Sequence, residues 1–234
     1  YKQTVLGGLW AIIRPFCMMI VFTLFFGKLA KIPSDGLPYS IFNYTAMVVW
    51  TYFSTAITGS SNSLIGSSSL ISKVYFPRLF IPLTPILAGL LDFIIAFLVV
   101  ICMMFYYRIY PTIMVLFLPV LSLLMVLSAT GVGLIFSAMN AKYRDIQYTI
   151  PFLTQFWMFA TPIVYPASLV PERYRMIYAL NPMTGIVEGF RSALLGTIAF
   201  PTEMVLISAA VSTALFIVGI VYFNQVERYL ADVI

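Results

Sequence analysis

Histidine is absent from this 234-residue chain, carboxylates number only 8, and the two cysteines, Cys17 and Cys102, lie far apart inside apolar runs. Each scarcity excludes a chemistry. Without histidine or a carboxylate cluster there is no evident general acid–base pair, no nucleophile beside its base and no metal-ligand set. A membrane-embedded transferase or protease is therefore disfavoured. Isolated cysteines read as small core hydrophobes, not as a disulfide or a redox pair. No GxxxxGK[ST] phosphate loop occurs, which excludes P-loop ATP chemistry within these residues.

What is present is apolar. Hydrophobic residues make up 62% of the chain, charged residues 9%, and the mean hydropathy is +1.00. A soluble domain could not present a polar exterior from this composition. Several apolar runs approach or exceed the roughly 20 residues needed to cross a bilayer, and the chain length suits about six crossings in one membrane domain, residues 1–234. The net charge of +5 fits anchors beside anionic membrane lipid better than nucleic-acid binding.

The pattern predicts an all-α polytopic membrane protein with spans near 9–27, 41–59, 83–106, 113–139, 148–165 and 204–223. Arg14-Pro15 interrupts the start of the first. Pro33, Asp35-Gly36 and Pro38 mark the turn after it. Residues 60–72 are serine-rich, and Leu64, Ile71 and Val74 recur at steps of seven and three, which predicts a short amphipathic surface helix or, failing that, an ordinary loop. Asp92 sits inside the third span, where a structural hydrogen bond is expected of it.

Between the fifth and sixth spans, 167–200 holds two half-length helical pieces broken at Asn181-Pro182. This reads either as a re-entrant external hairpin or as a folded surface loop; irregular backbone survives at membrane depth only against protein or a watery cavity. Glu188 and Arg191 share one helical face there, either as a structural ion pair or as a latch of an external gate. Gly185 and Gly189 form a GxxxG step that permits close helix contact. An even number of spans puts both termini on one side. Lys2, Arg14, Lys73, Arg78, Lys142, Arg144 and Arg228 share it, against Lys28, Lys31 and Arg108 opposite, or against those three with Arg173, Arg175 and Arg191 if the broken region is counted. Long loops obey the rule poorly, so the smaller count is used and both termini are expected in the cytoplasm.

At this point particular motifs align with a family. Residues 1–10 (YKQTVLGGLW), 73–78 (KVYFPR), Tyr143-Arg144-Asp145, 161–166 (TPIVYP) and Asn181-Pro182 leading to 189–191 (GFR) occur in order along nearly the whole chain. In this the chain resembles the membrane subunit of ABC-2 type exporters, in the branch that moves polysaccharides or polyol phosphates such as O-antigen and teichoic acid. It departs at the start: the family's amphipathic interface helix is missing before Tyr1, so the N-terminus reads as truncated.

The resemblance implies a homodimer in the bacterial cytoplasmic membrane, with two ABC ATPase subunits that hold ATP and magnesium and no cofactor in this chain. It implies a lipid-linked glycan as cargo, in a channel between protomers capped by the re-entrant hairpins. ATPase coupling would then fall to Asn62, Ser67, Ser68, Lys73, Tyr75 and Arg78, and to Lys142, Tyr143, Arg144 and Asp145 at the next cytoplasmic turn. Arg144 would either meet an ATPase carboxylate or pair with Asp145. The external gate would comprise Pro162, Pro166, Asn181, Pro182, Gly185, Glu188, Gly189 and Arg191. The rings of Phe42, Tyr44, Trp50, Phe53, Phe156 and Trp157 would either line the channel against sugar C–H faces or pack in the core and interfacial belt. Two other readings stand beside this one: the same architecture exporting a drug or lipid, and a channel or scaffold with no ATPase.

Overall fold

The computed structural model describes residues 7–67, 77–143, 145–196 and 199–233, with side chains as far as 227. Among them there are helices and turns but no strand. Helix α1, Trp10–Phe22, runs on as π-helical Thr23–Leu29. Pro15 does not break it, contrary to the sequence expectation. One proline removes a single main-chain bond, and neighbouring helices make this tolerable in a membrane.

Helix α2, Tyr39–Gly66, begins straight after the turn at Pro38 and is the centre of the molecule. It touches α1, α3, α4, α5 and α7 (introduced below) and is buried along most of its length. It also extends beyond the expected span at 41–59. The serines after Gly59 do not end the helix, because small hydroxyls can turn back onto carbonyls of the same helix. Ser63 Oγ donates to the Ser60 carbonyl at 2.6 Å, and Thr58 Oγ1 to that of Ser54 at 2.8 Å. The separate amphipathic helix expected from residue 60 is therefore, as far as Gly66, the end of α2; residues 68–76 lie outside those described.

Helix α3, Phe80–Tyr107, ends at Arg108 in the left-handed conformation (φ 56°). A 3₁₀ turn, Ile113–Phe117, leads into α4, Leu118–Lys142. Helix α5, Ile146–Phe159, stops six residues before the predicted end of its span. The reason is local: Pro162 disfavours helical backbone at Thr161. After a non-helical stretch come α6 (Glu172–Ala179), α7 (Pro182–Leu195) and α8 (Thr202–Val233).

Among the described residues, four helical stretches are long and apolar enough to cross a membrane: Trp10–Leu29, Phe80–Tyr107, Ile113–Lys142 and Thr202–Glu227. Helix α2 has the length, with 28 residues, but carries many hydroxyl and amide side chains. Helix α5, with 14 residues, reaches about 21 Å.

Close contact between α4 and α8 rests on small residues. A Cβ on Gly131 would lie 2.5 Å from the Leu215 carbonyl, and one on Gly219 2.5 Å from that of Gly131. Beside them the Ser128 and Ser212 hydroxyls share a 2.6 Å hydrogen bond. The main core surrounds α2. A second cluster, Leu64, Ile81, Leu134, Ala138, Phe223 and Val226, ties together the ends of α2, α4 and α8 and the start of α3. Asp92 and Arg14 line one 170 Å³ cavity with Tyr52 and Thr55.

Candidate functional site

At the bundle end opposite that second cluster, the chain between α5 and α6 leaves its main-chain groups without helical partners. Side chains from distant segments supply them. Arg191, on α7 and 2% exposed, is the centre. Its Nη1 donates to the Pro162 carbonyl at 2.5 Å and to Glu188 Oε1 at 3.0 Å. Nη2 donates to the Ile163 carbonyl at 2.6 Å, and Nε to the Phe42 carbonyl at 3.2 Å. Glu188 Oε1 also accepts from the Ala167 N–H at 3.2 Å. The expected Glu188–Arg191 pairing is thus present, one turn apart and buried. A buried pair of this kind is costly unless further hydrogen bonds satisfy it, and here they do. Tyr39, at the start of α2, adds a 2.6 Å bond from its hydroxyl to the Val164 carbonyl.

Asn181 holds the same stretch from the other side. It is the N-cap of α7, with Pro182 at the first helical position, a pairing that suits a helix start. Its Oδ1 accepts from the Met183 N–H at 3.1 Å and from Trp157 Nε1 at 3.0 Å. Its Nδ2 donates to the Ala160 carbonyl at 3.1 Å and to Thr161 Oγ1 at 2.9 Å. All four hydrogen-bonding positions of the amide are used. Pro162, Pro166 and Pro182 are all buried in this block. Gly185 is pressed against α8, its N–H donating to Ser208 Oγ at 3.1 Å. A Cβ on Gly189 would meet Leu121 of α4 at 2.8 Å. The GxxxG step therefore serves packing within this chain. On its outer flank, Glu188 faces a 580 Å³ cavity shared with Ser168, Arg175, Ser192 and Glu203.

At the opposite end, Asn140 of α4 is fully buried and donates to the Ser61 carbonyl at 3.0 Å and to Asn62 Oδ1 at 3.2 Å. Asn62 itself is exposed, and Ser67 closes α2. Lys142 Nζ lies 5.1 Å from the centre of the Tyr143 ring, and Tyr143 and Asp145 face outward. Arg78 stands in the turn entering α3, half-buried. Ser68, Lys73, Tyr75 and Arg144, also expected to couple, lie outside the described residues.

Residues 1–195 match the model of the ABC-2 type transporter family. This chain belongs to that family. Similar to this ABC-2 chain is an O-antigen export system permease protein, RfbA, of Klebsiella pneumoniae, 26% identical over 100% of this chain and 90% of its own length. The protein of that description from Myxococcus xanthus is 27% identical over 92% of this chain and 83% of its own. The polysialic acid transport protein KpsM of Escherichia coli is 26% identical over 81% of this chain and 74% of its own.

The aromatic expectations divide sharply in this ABC-2 chain. Phe42, Tyr44, Trp50 and Phe53 are all buried and pack in the core of this chain. The cause is the central place of α2, which α1, α3, α4, α5 and α7 all touch. Trp157 is half-buried, spent on Asn181 and stacked edge-on against Phe53 at 5.2 Å. Only Phe156 of the six stands open, 68% exposed. Tyr148 and Phe152 precede it at steps of four, equally open, and with Phe159 they make one uncovered ring-bearing face of α5. Tyr148, Phe152 and Tyr39 are not among the six. The i, i+4 spacing of the first two was a usable signal; nothing local foretells the Tyr39 contact across 125 residues.

Proposed function

We propose that this chain is the membrane-spanning half of an ATP-driven exporter of lipid-linked polysaccharide, O-antigen-like or teichoic-acid-like, in a bacterial inner membrane. It works as a homodimer with two ABC ATPase subunits, which supply ATP and magnesium. The observation that carries this reading is the match, along the whole chain, to O-antigen export permeases at 90% of their length.

The open face of α5 supports a path between two copies. A face turned to lipid has no use for Tyr148, Thr149 and Gln155, which stand exposed beside Phe152 and Phe156. Rings with interspersed hydroxyl and amide groups suit a wet path for sugar, whose C–H faces pack on aromatic planes. Helices α1, α2, α3, α4, α5 and α8 are taken as six crossings, with α6 and α7 as the re-entrant external hairpin. Beginning at one interface, α5 ends after about 21 Å, inside a hydrocarbon core of about 30 Å. The following irregular backbone would then sit at membrane depth, which the Arg191, Asn181 and Tyr39 bonds make tolerable. Both termini are then cytoplasmic, and Asn62, Ser67, Lys142, Tyr143 and Asp145 face the ATPases. Through Asn140 and the cluster around Leu64, a push on the end of α2 reaches α4 and α8.

The test is to isolate the protein from its native membrane in mild detergent, identify co-purifying chains and measure ATP hydrolysis, alongside deletion of its gene. A stoichiometric ATPase, and lipid-linked glycan trapped on the cytoplasmic leaflet of the deletion strain, are the expected results. An ATPase with unaltered glycan would turn the reading to drug or lipid export. Neither partner nor hydrolysis would leave a channel or scaffold.

A further inference from the structure

The turn between α3 and α4 closes the end of an apolar groove of 320 Å³. Phe97, Ile101, Met104 and Phe105 form one wall, with Val115 and Leu194 opposite. Polar character enters only at the mouth, where Arg108 and Tyr110 line it. From Phe97 to Arg108 along α3 is about 16 Å, close to half of a hydrocarbon core of about 30 Å. The groove is therefore as deep as one leaflet.

Arg108 is exposed, and among the described residues no carboxylate lies within ion-pair distance of it. Tyr106 and Tyr110 are both exposed beside it, as at a membrane–water boundary. The backbone at Arg108 is left-handed, a conformation that glycine adopts freely and arginine does not. A cation is thus held at the mouth of an oily slot, and its fork of N–H donors matches a phosphodiester.

We propose that this groove holds one acyl chain of an anionic phospholipid, whose phosphate pairs with Arg108. This is independent of the exported cargo and requires only that α3 and α4 stand in a bilayer.

The experiment is native mass spectrometry of the purified full complex in detergent supplied with equimolar phosphatidylglycerol and phosphatidylethanolamine of equal chain length. The wild-type protein should retain phosphatidylglycerol in about fivefold preference, the scale of one basic group at an anionic surface. Arg108→Lys should keep the preference and Arg108→Gln abolish it. Arg108→Gly should abolish it while raising thermal stability, an outcome that separates lipid pairing from a fold role. Ile101→Trp, filling the slot, should lower retention of both lipids. Equal retention by the wild-type protein, or a preference surviving in Arg108→Gln, overturns the proposal. So does undiminished binding in Ile101→Trp, or a polyprenyl phosphate as the retained species.

Discussion

Arg191 meets Phe42 across 149 residues of sequence: its Nε donates to the Phe42 carbonyl, and its guanidinium carbon lies 3.6 Å from the centre of the Phe42 ring. The ring supplies a cation–π face to a buried charge. The same guanidinium satisfies two carbonyls of the non-helical chain and one carboxylate. Its loss therefore orphans more than its gain of shape could restore.

Arg191→Met should destabilise the protein by about 3–5 kcal/mol, since it leaves Glu188 buried alone and two carbonyls unpaired. Glu188→Gln keeps those carbonyls bonded and should cost about 1–3 kcal/mol. Thermal unfolding in detergent checks the order; equal losses would mean that the ion pair, not the carbonyl set, dominates.

Asn181→Ala removes a helix cap and three further bonds, and a loss of about 2 kcal/mol is expected. Trp157→Phe removes a single bond and should cost about 1 kcal/mol. A Trp157→Phe protein as unstable as Asn181→Ala would place the anchor in the indole instead.

Gly131→Leu cannot be housed against Leu215 and Gly219, and folded protein should be lost from the membrane. Gly66→Ala meets nothing within 4 Å at the end of α2 and should be neutral or stabilise by about 0.5–1 kcal/mol. Yield of monodisperse protein on gel filtration reports both.

Phe53→Ala empties a fully buried site and should cost about 3–5 kcal/mol. The double variant Phe152→Ala/Phe156→Ala, on the open face of α5, should change stability by no more than about 0.5 kcal/mol each while lowering surface glycan. Normal export by that double variant would remove α5 from the path.

Asn140→Leu cuts the link from α4 to Ser61 and Asn62 without exposing new surface. ATP turnover per glycan exported should rise, measured in proteoliposomes with the assembled complex. An unchanged ratio would take Asn140 out of the coupling path.

How much of this was legible beforehand depended on whether the signal was local. The long apolar runs of α1, α3, α4 and α8 announced themselves, and Asn181-Pro182 marked the start of α7 correctly. Helix α2 carried two ambiguous signals. Its serines, read as a separate short helix or a loop, continue the helix as far as Gly66, and its rings, read as lining or core, are buried among neighbouring helices. Composition cannot distinguish a ring facing a channel from one facing a core. The spacing of Glu188 and Arg191 gave their pairing, yet the carbonyls they serve lie more than 20 residues away and leave no trace in sequence.

The carbonyls of Ala160, Pro162, Ile163 and Val164 are each gripped by a side chain from outside their own segment. Mechanically this makes a rivet line. No rivet can yield first without stranding its carbonyl, so the stretch, α7 and the start of α2 travel together. Any movement at this end of the bundle would shift that block as one piece, never by unlacing it carbonyl by carbonyl.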